Sequence, residues 1–385
     1  MVIFCEKPLH LSKTLSGMKL SQASHAVCFA IVLAFVSLLS VSCGRGGKYV
    51  SIAGFAQGGT YTVKINLYGK AGKISASPAE VKAGVDSVLA RIERSVSGYD
   101  KGSLLSRFNA GERVVPDDIF IELYEYSYRF YELTDGAFDV SAGPLFDIWG
   151  FGFKGGGFTS DDAVERTRSA CGMSRLRRDA AGAVAADGTL CGRDLLVCPG
   201  DEPPVLNFNA IAQGYSCDIV ARYLYSLGVK DMLVDVGGEI YCDGVNPSGE
   251  PWKIGVDKPF DGNDMPGAEI EGILDSGGRP CGIVTSGNYR KFYVHDGKKY
   301  AHTVDPRTGY PVSHSLLSAT VIAADATTAD ALATFCMVAG TDAAAEFISS
   351  HSCESISLRG TGASPALRGY FISDEDGRMV SRLAE

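Results

Sequence analysis

Two short stretches of the chain carry residues that could handle phosphate with a hard metal ion. The first is Ala301-His302-Thr303-Val304-Asp305-Pro306-Arg307-Thr308-Gly309-Tyr310-Pro311, where a histidine precedes a Pro/Gly-bracketed turn whose backbone amides can approach a ligand closely. The second is Asp330-Ala331-Leu332-Ala333-Thr334. Asp330 and Thr334 are four apart among good helix formers, so a carboxylate and a hydroxyl project from one helix face. Such a pair suits an oxygen-seeking cation such as magnesium, which completes its shell with water and substrate phosphate. Spacing alone leaves a second reading open, in which Thr327, Thr328 and Asp330 simply cap the helix. A lone histidine on a strand is likewise more often structural.

Weaker signals accompany these two. Thr285-Ser286-Gly287-Asn288-Tyr289-Arg290 gathers hydroxyls, an amide and a guanidinium beside an expected strand end, a sensible contact for phosphate or ribose. Gly237-Gly238 follows an apolar run and permits close backbone approach. Phe138-Asp139 and Trp149-Gly150-Phe151-Gly152 set aromatics among glycines, which could wall a flat ring or pack in the core. Neither Gly237-Gly238 nor the 305–309 turn fits G-x-G-x-x-G, and the chain has no G-x-S-x-G elbow and no H-E-x-x-H. Rossmann, serine-hydrolase and zinc-protease readings therefore lack support.

The elements that must position these residues are legible from periodicity. Residues 61–67 alternate with period two, the mark of a half-buried strand. Ser77-Pro78-Ala79-Glu80 offers a cap, a proline at the first helical position and an early acid. Val81, Val85, Val88, Leu89 and Ile92 then keep helical spacing through Arg94. A second helix is expected over 117–134, with Ile119, Leu123, Tyr126 and Phe130 on one stripe, and a third over 211–227, closed by Gly228. Strands are expected over 232–236, 252–256, 281–285, 291–294 and 317–322, helices over 328–338 and 342–349, and a last strand around Tyr370-Phe371-Ile372. Residues 155–157 and 179–188 read as loop and hairpin material. Helices and strands interleave without strict alternation, which points to an α+β architecture rather than a doubly wound parallel sheet.

A chain of 385 residues allows two lobes on the usual guide of roughly 150 residues per domain. The net charge of −9 and the lack of any Lys/Arg run argue against a nucleic-acid surface. Lys13 and Lys19 precede an apolar stretch over 26–41, right for a signal-peptide core and short of the roughly 20 residues of a membrane span. Ser40-Val41-Ser42-Cys43 then resembles a bacterial lipobox, with Ser40 where leucine is usual. A start at Met18 brings the leader into the ordinary window of about 15–30 residues. The expected organisation is a signal peptide over 1–42, a lipidated Cys43 with a tether over 43–52, and one folded domain over 53–385. Beyond Cys43 no C-x-x-C pair occurs, and a disulfide among Cys171, Cys191 and Cys198 and buried free thiols both stay open.

Taken in order, several distant blocks resemble the ApbE family of FAD:protein FMN transferases, once labelled thiamine-biosynthesis lipoproteins. They are Gly59-Thr60-Tyr61, SGYDKGSLLSRFN over 97–109, GAFDVSAGPLFDIWGFG over 136–152, NFNAIAQGYSCD over 207–218, VGGE over 236–239, IVTSGNYR over 283–290, and the runs 302–311 and 329–334. The resemblance implies an α+β fold with a mixed sheet and two lobes enclosing an FAD cleft. It implies that Gly58, Tyr99, the Ala137-Phe138-Asp139 segment, Asn207, Gln213 and Val304 line the flavin nucleotide. Magnesium would be held by the carbonyl of Ala210 with Asp330 and Thr334. Asn207 and Gln213 stand where relatives often carry charged residues, so this chain offers amides there, and Ala333 can offer only its backbone.

The chemistry so implied is phosphoryl transfer. Magnesium bridges the diphosphate of FAD, a Thr or Ser hydroxyl of an acceptor protein attacks the FMN phosphorus, and AMP leaves. His302 is the natural general base by its ordinary pKa, with Asp330 the rival. The implied acceptor belongs to a membrane redox complex, a Na+-translocating NADH:quinone reductase or its Rnf-type relative, and the implied place is the periplasmic face of the inner membrane, through lipid on Cys43. Two other functions share the same ligands: hydrolysis of FAD to FMN and AMP, and FAD binding without turnover. The intact Asp330/Thr334 pair speaks against the last, since passive binding needs no cation.

Overall fold

A tight hairpin begins the sheet. The computed structural model describes residues 49–385 except 70–71, 113, 152–158, 176, 179–195, 198–203, 261–266, 289–291, 296–297 and 357–364. Strand β1 (Tyr49–Ala56) pairs antiparallel with β2 (Gly59–Asn66), from Tyr49 opposite Asn66 to Ala56 opposite Gly59. The two turn residues, Gln57 and Gly58, have φ of 54° and 76°. Two-residue hairpins favour that doubly left-handed turn because its twist matches that of the strands it joins.

Six more strands extend the sheet: β3 (Met232–Val236), β4 (Glu239–Asp243), β5 (Cys281–Gly287), β6 (Leu316–Ala323), β7 (Arg368–Glu375) and β8 (Arg378–Ala384). The eight lie side by side in chain order. Each pair of neighbours is antiparallel, so the sheet that was expected to be mixed is antiparallel throughout. The physical reason is that neighbours in the chain are neighbours in the sheet, and no strand has to cross over to a parallel partner. The α+β class stands.

Helices α1 (Pro78–Val96), α2 (Leu104–Asn109), α3 (Asp118–Leu133), α4 (Gly143–Ile148), α5 (Asp161–Ala170) and α6 (Ala212–Ser226) occupy the excursion between β2 and β3, and α7 (Ala326–Ala339) and α8 (Thr341–Ser350) follow β6. At the start of α1 the Ser77 hydroxyl accepts from Glu80 N and the Glu80 carboxylate accepts from Ser77 N, a complete capping box. The predicted stripes face the core: Val81, Val85, Leu89 and Ile92 on α1 are buried and Val88 half-buried, and Ile119, Leu123, Tyr126 and Phe130 on α3 are buried. Helix α7 packs on β5, β6 and α6. Twelve of its fourteen residues are buried, so its apolar character has to run all round.

Alternation sends successive β3 residues to opposite faces. Met232, Val234 and Val236 meet α1 and α6, while Leu233 joins Trp252, Val256 and Leu274 of a two-stranded ribbon (Lys253–Asp257 with Ile270–Asp275) on the other side. By internal contacts the described residues form one unit. The segments expected to form the two lobes belong to this one unit.

Order begins earlier than residue 53. Tyr49, Val50 and Ile52 are buried in β1, within the stretch read as a tether. The leader, Cys43, the loops at 155–157 and 179–188, Cys191, Cys198, Tyr289 and Arg290 lie outside the described residues. Among the described residues Cys171, Cys217, Cys242, Cys281, Cys336 and Cys353 are free thiols. Cys242 and Cys281 face each other across β4 and β5 with their sulfurs 3.7 Å apart. No helix among the described residues is long and apolar enough to cross a membrane.

Candidate active site

The site is built on the N-terminal half of α7. Asp325 caps it, its Oδ1 accepting from Thr328 N at 2.7 Å. From α6, Asp218 reaches across to accept from Ala326 N and Thr327 N, both at 2.9 Å, and from Thr327 Oγ1 at 2.5 Å. Two carboxylates at a helix N-terminus satisfy its orphan amides and complement its dipole. Capping therefore falls to Asp325 and Asp218, and the alternative in which Thr327, Thr328 and Asp330 cap the helix is set aside.

Asp330 is left for other work. It is 4% exposed, and its Oδ2 accepts from Gly214 N at 3.0 Å. The contact needs a glycine: a Cβ on Gly214 would lie 2.3 Å from Ala326 O and 2.7 Å from Asp330 Cβ. Burial pushes the Asp330 carboxyl up to about 7. Thr334, one turn further on, is half-buried beside the same cavity.

That cavity is a cleft of about 1110 Å³. Gly58 borders it from the β1–β2 turn, whose Gln57 N–H donates to Glu93 of α1 and whose Gln57 amide donates to Ser216 Oγ of α6 at 2.5 Å. Tyr99 stands 73% exposed on its rim. The Tyr99 loop is knotted by the hydroxyls of Ser103 and Ser106, which donate to Ser97 O at 2.6 and 3.1 Å. Ala137, Phe138 and Asp139 form another stretch of wall. The Phe138 ring is buried edge-on against Phe130 at 5.9 Å and its N–H donates to Thr134 Oγ1. Asp139 accepts from Ser141 N and Oγ at 2.8 and 2.6 Å, and burial raises its carboxyl above the usual range.

Asn207, Ala210 and Gln213 line the cleft where the chain enters α6. Asn207 N donates to Val140 O at 2.7 Å, tying this stretch to the 137–139 wall. His302 and Val304 complete the lining from the opposite chain segment. His302 is half-buried, its ring edge-on to Phe151 at 6.4 Å. The turn beyond it is self-contained, with Gly309 N donating to Asp305 O at 2.7 Å and the Arg307 guanidinium forked onto the Asp305 carboxylate at 3.0 and 2.9 Å. Trp149 serves that turn: it is 3% exposed and its Nε1 donates to Gly309 O at 2.8 Å. In the 285–288 stretch, Ser286 and Gly287 reach the cleft, whereas Thr285 pairs with Thr320 at 2.8 Å.

All twelve residues expected at the site thus line one cavity. Sequence reasoning passed over Gln57, Glu93 and Glu239, which line it too. Only Glu239 carried a signal, its place directly behind Gly237-Gly238.

The charges of the wall decide what it can accept. Among the described residues five carboxylates line it, those of Glu93, Asp100, Asp139, Glu239 and Asp330, and no Lys or Arg does. An anionic diphosphate meets repulsion there unless a cation lies between. Among the described residues no three His, Cys, Asp or Glu side chains gather into a metal cluster. One or two carboxylates, a hydroxyl, a backbone carbonyl and the substrate's own phosphates form the donor set that suits magnesium. Asp330, Thr334 and the Ala210 carbonyl fit that set.

Comparison with known proteins agrees with this geometry. A curated FAD:protein FMN transferase of Haemophilus influenzae is 32% identical over 324 residues, covering 82% of this chain and 88% of the relative. One from Vibrio cholerae is 31% identical, over 79% and 85% of the two chains. Among solved structures, the flavin transferase ApbE from Vibrio cholerae superposes with a TM-score of 0.69 at 27% identity, covering 88% of this chain and 97% of that one. The apo flavinyl transferase ApbE of Pseudomonas stutzeri gives 0.69 at 28% identity, over 89% and 97%. A model of the ApbE family matches residues 58–357, which takes in every residue of the cleft but Gln57, and the chain belongs to the ApbE family.

Proposed function

We propose that this chain is an FAD:protein FMN transferase, moving the FMN phosphoryl group of FAD to a Thr or Ser hydroxyl of an acceptor protein and releasing AMP. The observation that carries this is the meeting, in one cleft, of the Asp330/Thr334 helix turn, His302 and the Gly58 hairpin. The new bond joins the FMN phosphorus to the acceptor oxygen. The bond that breaks is the diphosphate P–O bond, whose electron pair leaves with AMP. The hydroxyl proton goes to a ring nitrogen of His302. Nothing is oxidised or reduced.

The chain's own residues bind and align. Asp330, Thr334 and the Ala210 carbonyl would hold magnesium, which when bound neutralises the diphosphate and the charge developing on the leaving oxygen. Asn207 and Gln213 offer neutral amides to the nucleotide, and Tyr99 offers a ring to the flavin at the rim. Most of the acceleration comes from positioning and electrostatics, as phosphoryl transfer requires. The acceptor in this reading is a subunit of a membrane redox complex, of the Na+-translocating NADH:quinone reductase or Rnf type. Residues 1–42 act as a signal peptide and Cys43 as a lipid anchor on the periplasmic face of the inner membrane, a reading supported by the basic, apolar and small-residue order of 13–43.

The test is to incubate the purified protein with FAD and magnesium, with and without a flavin-acceptor domain, and to follow AMP release and flavin fluorescence of the denatured acceptor. Acceptor-bound flavin supports transfer. Free FMN with or without acceptor makes the protein a hydrolase, and unchanged FAD makes it a binder.

A further inference from the structure

Glu239 opens β4 directly after the Gly237-Gly238 turn and lines the cleft. Its Oε2 is buried without a hydrogen-bond partner. Among the described residues only Ser318 Oγ and Thr328 Oγ1 share that condition, and neither lines the cleft. A hydroxyl can turn to a weak partner, but a buried carboxylate oxygen has only acceptor capacity and is costly to leave unmet.

Among the described residues that line the cleft, no Lys or Arg offers Glu239 a counter-charge. A Cβ on Gly237 would lie 3.3 Å from Glu239 Oε2 and 2.1 Å from Gln213 Nε2, so bare backbone is what gives these two side chains room at one spot on the wall. Gln213 precedes Gly214, the residue whose N–H holds Asp330 Oδ2. Asp330 is the foremost charge acting on Glu239. Two carboxylates from different elements therefore line one cleft, which has no Lys or Arg among its described residues. Like charges brought together in a shielded place call for a cation between them.

We propose that Glu239 is a second carboxylate partner of the divalent cation held by Asp330 and Thr334. The inference rests on the cation-dependent reading of the cleft given above. Oxygen donors from two carboxylates, one hydroxyl and one backbone carbonyl leave positions open for substrate phosphate, as a magnesium site requires. The role makes Glu239 a positioning residue toward the cation, one for which the three-residue set inferred from sequence has no place.

Titration of FAD-free protein with Mn2+, followed by electron paramagnetic resonance and by thermal melting, tests it in wild type, Glu239→Gln, Glu239→Asp and Asp330→Asn. The expected result is a loss of Mn2+ affinity of about 10- to 100-fold in Glu239→Gln, the range seen when supporting carboxylates of metal sites are removed, with partial recovery in Glu239→Asp. Metal-free Glu239→Gln should melt at or above wild type, because an unmet charge has gone, while its Mn2+-induced rise in Tm shrinks. Wild-type affinity in Glu239→Gln overturns the proposal, and so does a metal-free Glu239→Gln that melts well below wild type, which would make the residue a structural anchor. Loss of Mn2+ in Asp330→Asn alone would spare the cation site and sink only the role of Glu239. Equal Mn2+ binding by all four proteins, or none by wild type with FAD present, would sink the cation reading itself and this inference with it.

Discussion

Asp330 Oδ2 receives the backbone N–H of Gly214 at 3.0 Å, and the helices carrying these two residues meet where Gly214 has no side chain. One residue thereby sets both the distance between α6 and α7 and the aim of the carboxylate. Gly214→Ala would force a methyl group against Ala326 O and Asp330 Cβ. Overpacking of this kind costs about 1–3 kcal/mol. Urea unfolding should show that loss, and Mn2+ affinity should fall with it; an unchanged midpoint would mean that the helices can part freely.

Asp330→Ala tests the chemistry rather than the packing. It removes the carboxylate aimed into the cleft and leaves the α7 caps, Asp325 and Asp218, in place. Magnesium-dependent AMP release should drop by at least about 100-fold, the scale of losing a principal electrostatic contact in a transition state. Far-UV circular dichroism should be retained. Full activity in this variant would remove the metal assignment.

Tyr99 is 73% exposed on the rim, so its removal takes little from the core. Aromatic stacking contributes about 0.5–1.5 kcal/mol beyond area burial. Tyr99→Ala should weaken FAD binding by roughly 2- to 13-fold on that scale, while the urea midpoint stays within the about 0.5 kcal/mol typical of surface changes. Fluorescence titration with FAD measures the first, and a binding constant equal to wild type would take Tyr99 off the flavin.

Asp218 gives a pH signature. Burial, with the charge of Asp325 adding to it, pushes its carboxyl from 3.8 up to about 7, against the pull of hydrogen bonds from Ala326 and Thr327. A carboxyl raised in the folded state holds its proton where the unfolded chain has released it, so the folded state binds more protons over that interval. Its contribution to stability is full below about pH 3.8 and is lost as pH rises through about 7. The urea midpoint of wild type should therefore fall more steeply between pH 4 and pH 7 than that of Asp218→Asn. Parallel curves would show that the hydrogen bonds at the α7 N-terminus outweigh burial.

Long, strongly periodic elements are legible in the sequence. The stripes of α1 and α3 and the apolar run of β3 are where periodicity puts them, because burial on one face leaves a repeat of 3.6 or 2 residues. The short α2 and α4, six residues each, leave too few turns for a repeat to show. Strand β8 is exposed at every residue but Ala384 and so has no alternation to read. Strand β1 hides beside glycines and serines that resemble a linker.

The candidate site divides along a similar line. Residue types and order settle on their own that Asp330 and Thr334 share a helix face, and that the chain resembles one family in eight separated blocks. Only the tertiary structure decides that Asp325 and Asp218, and not Asp330, cap α7, that Trp149 props a turn, and that Glu239 lies in the cleft with an unmet oxygen. Local sequence governs backbone conformation within a few residues. Charge balance in a buried cleft depends on side chains brought together from distant elements, and it exists only once the sheet and helices have closed around it.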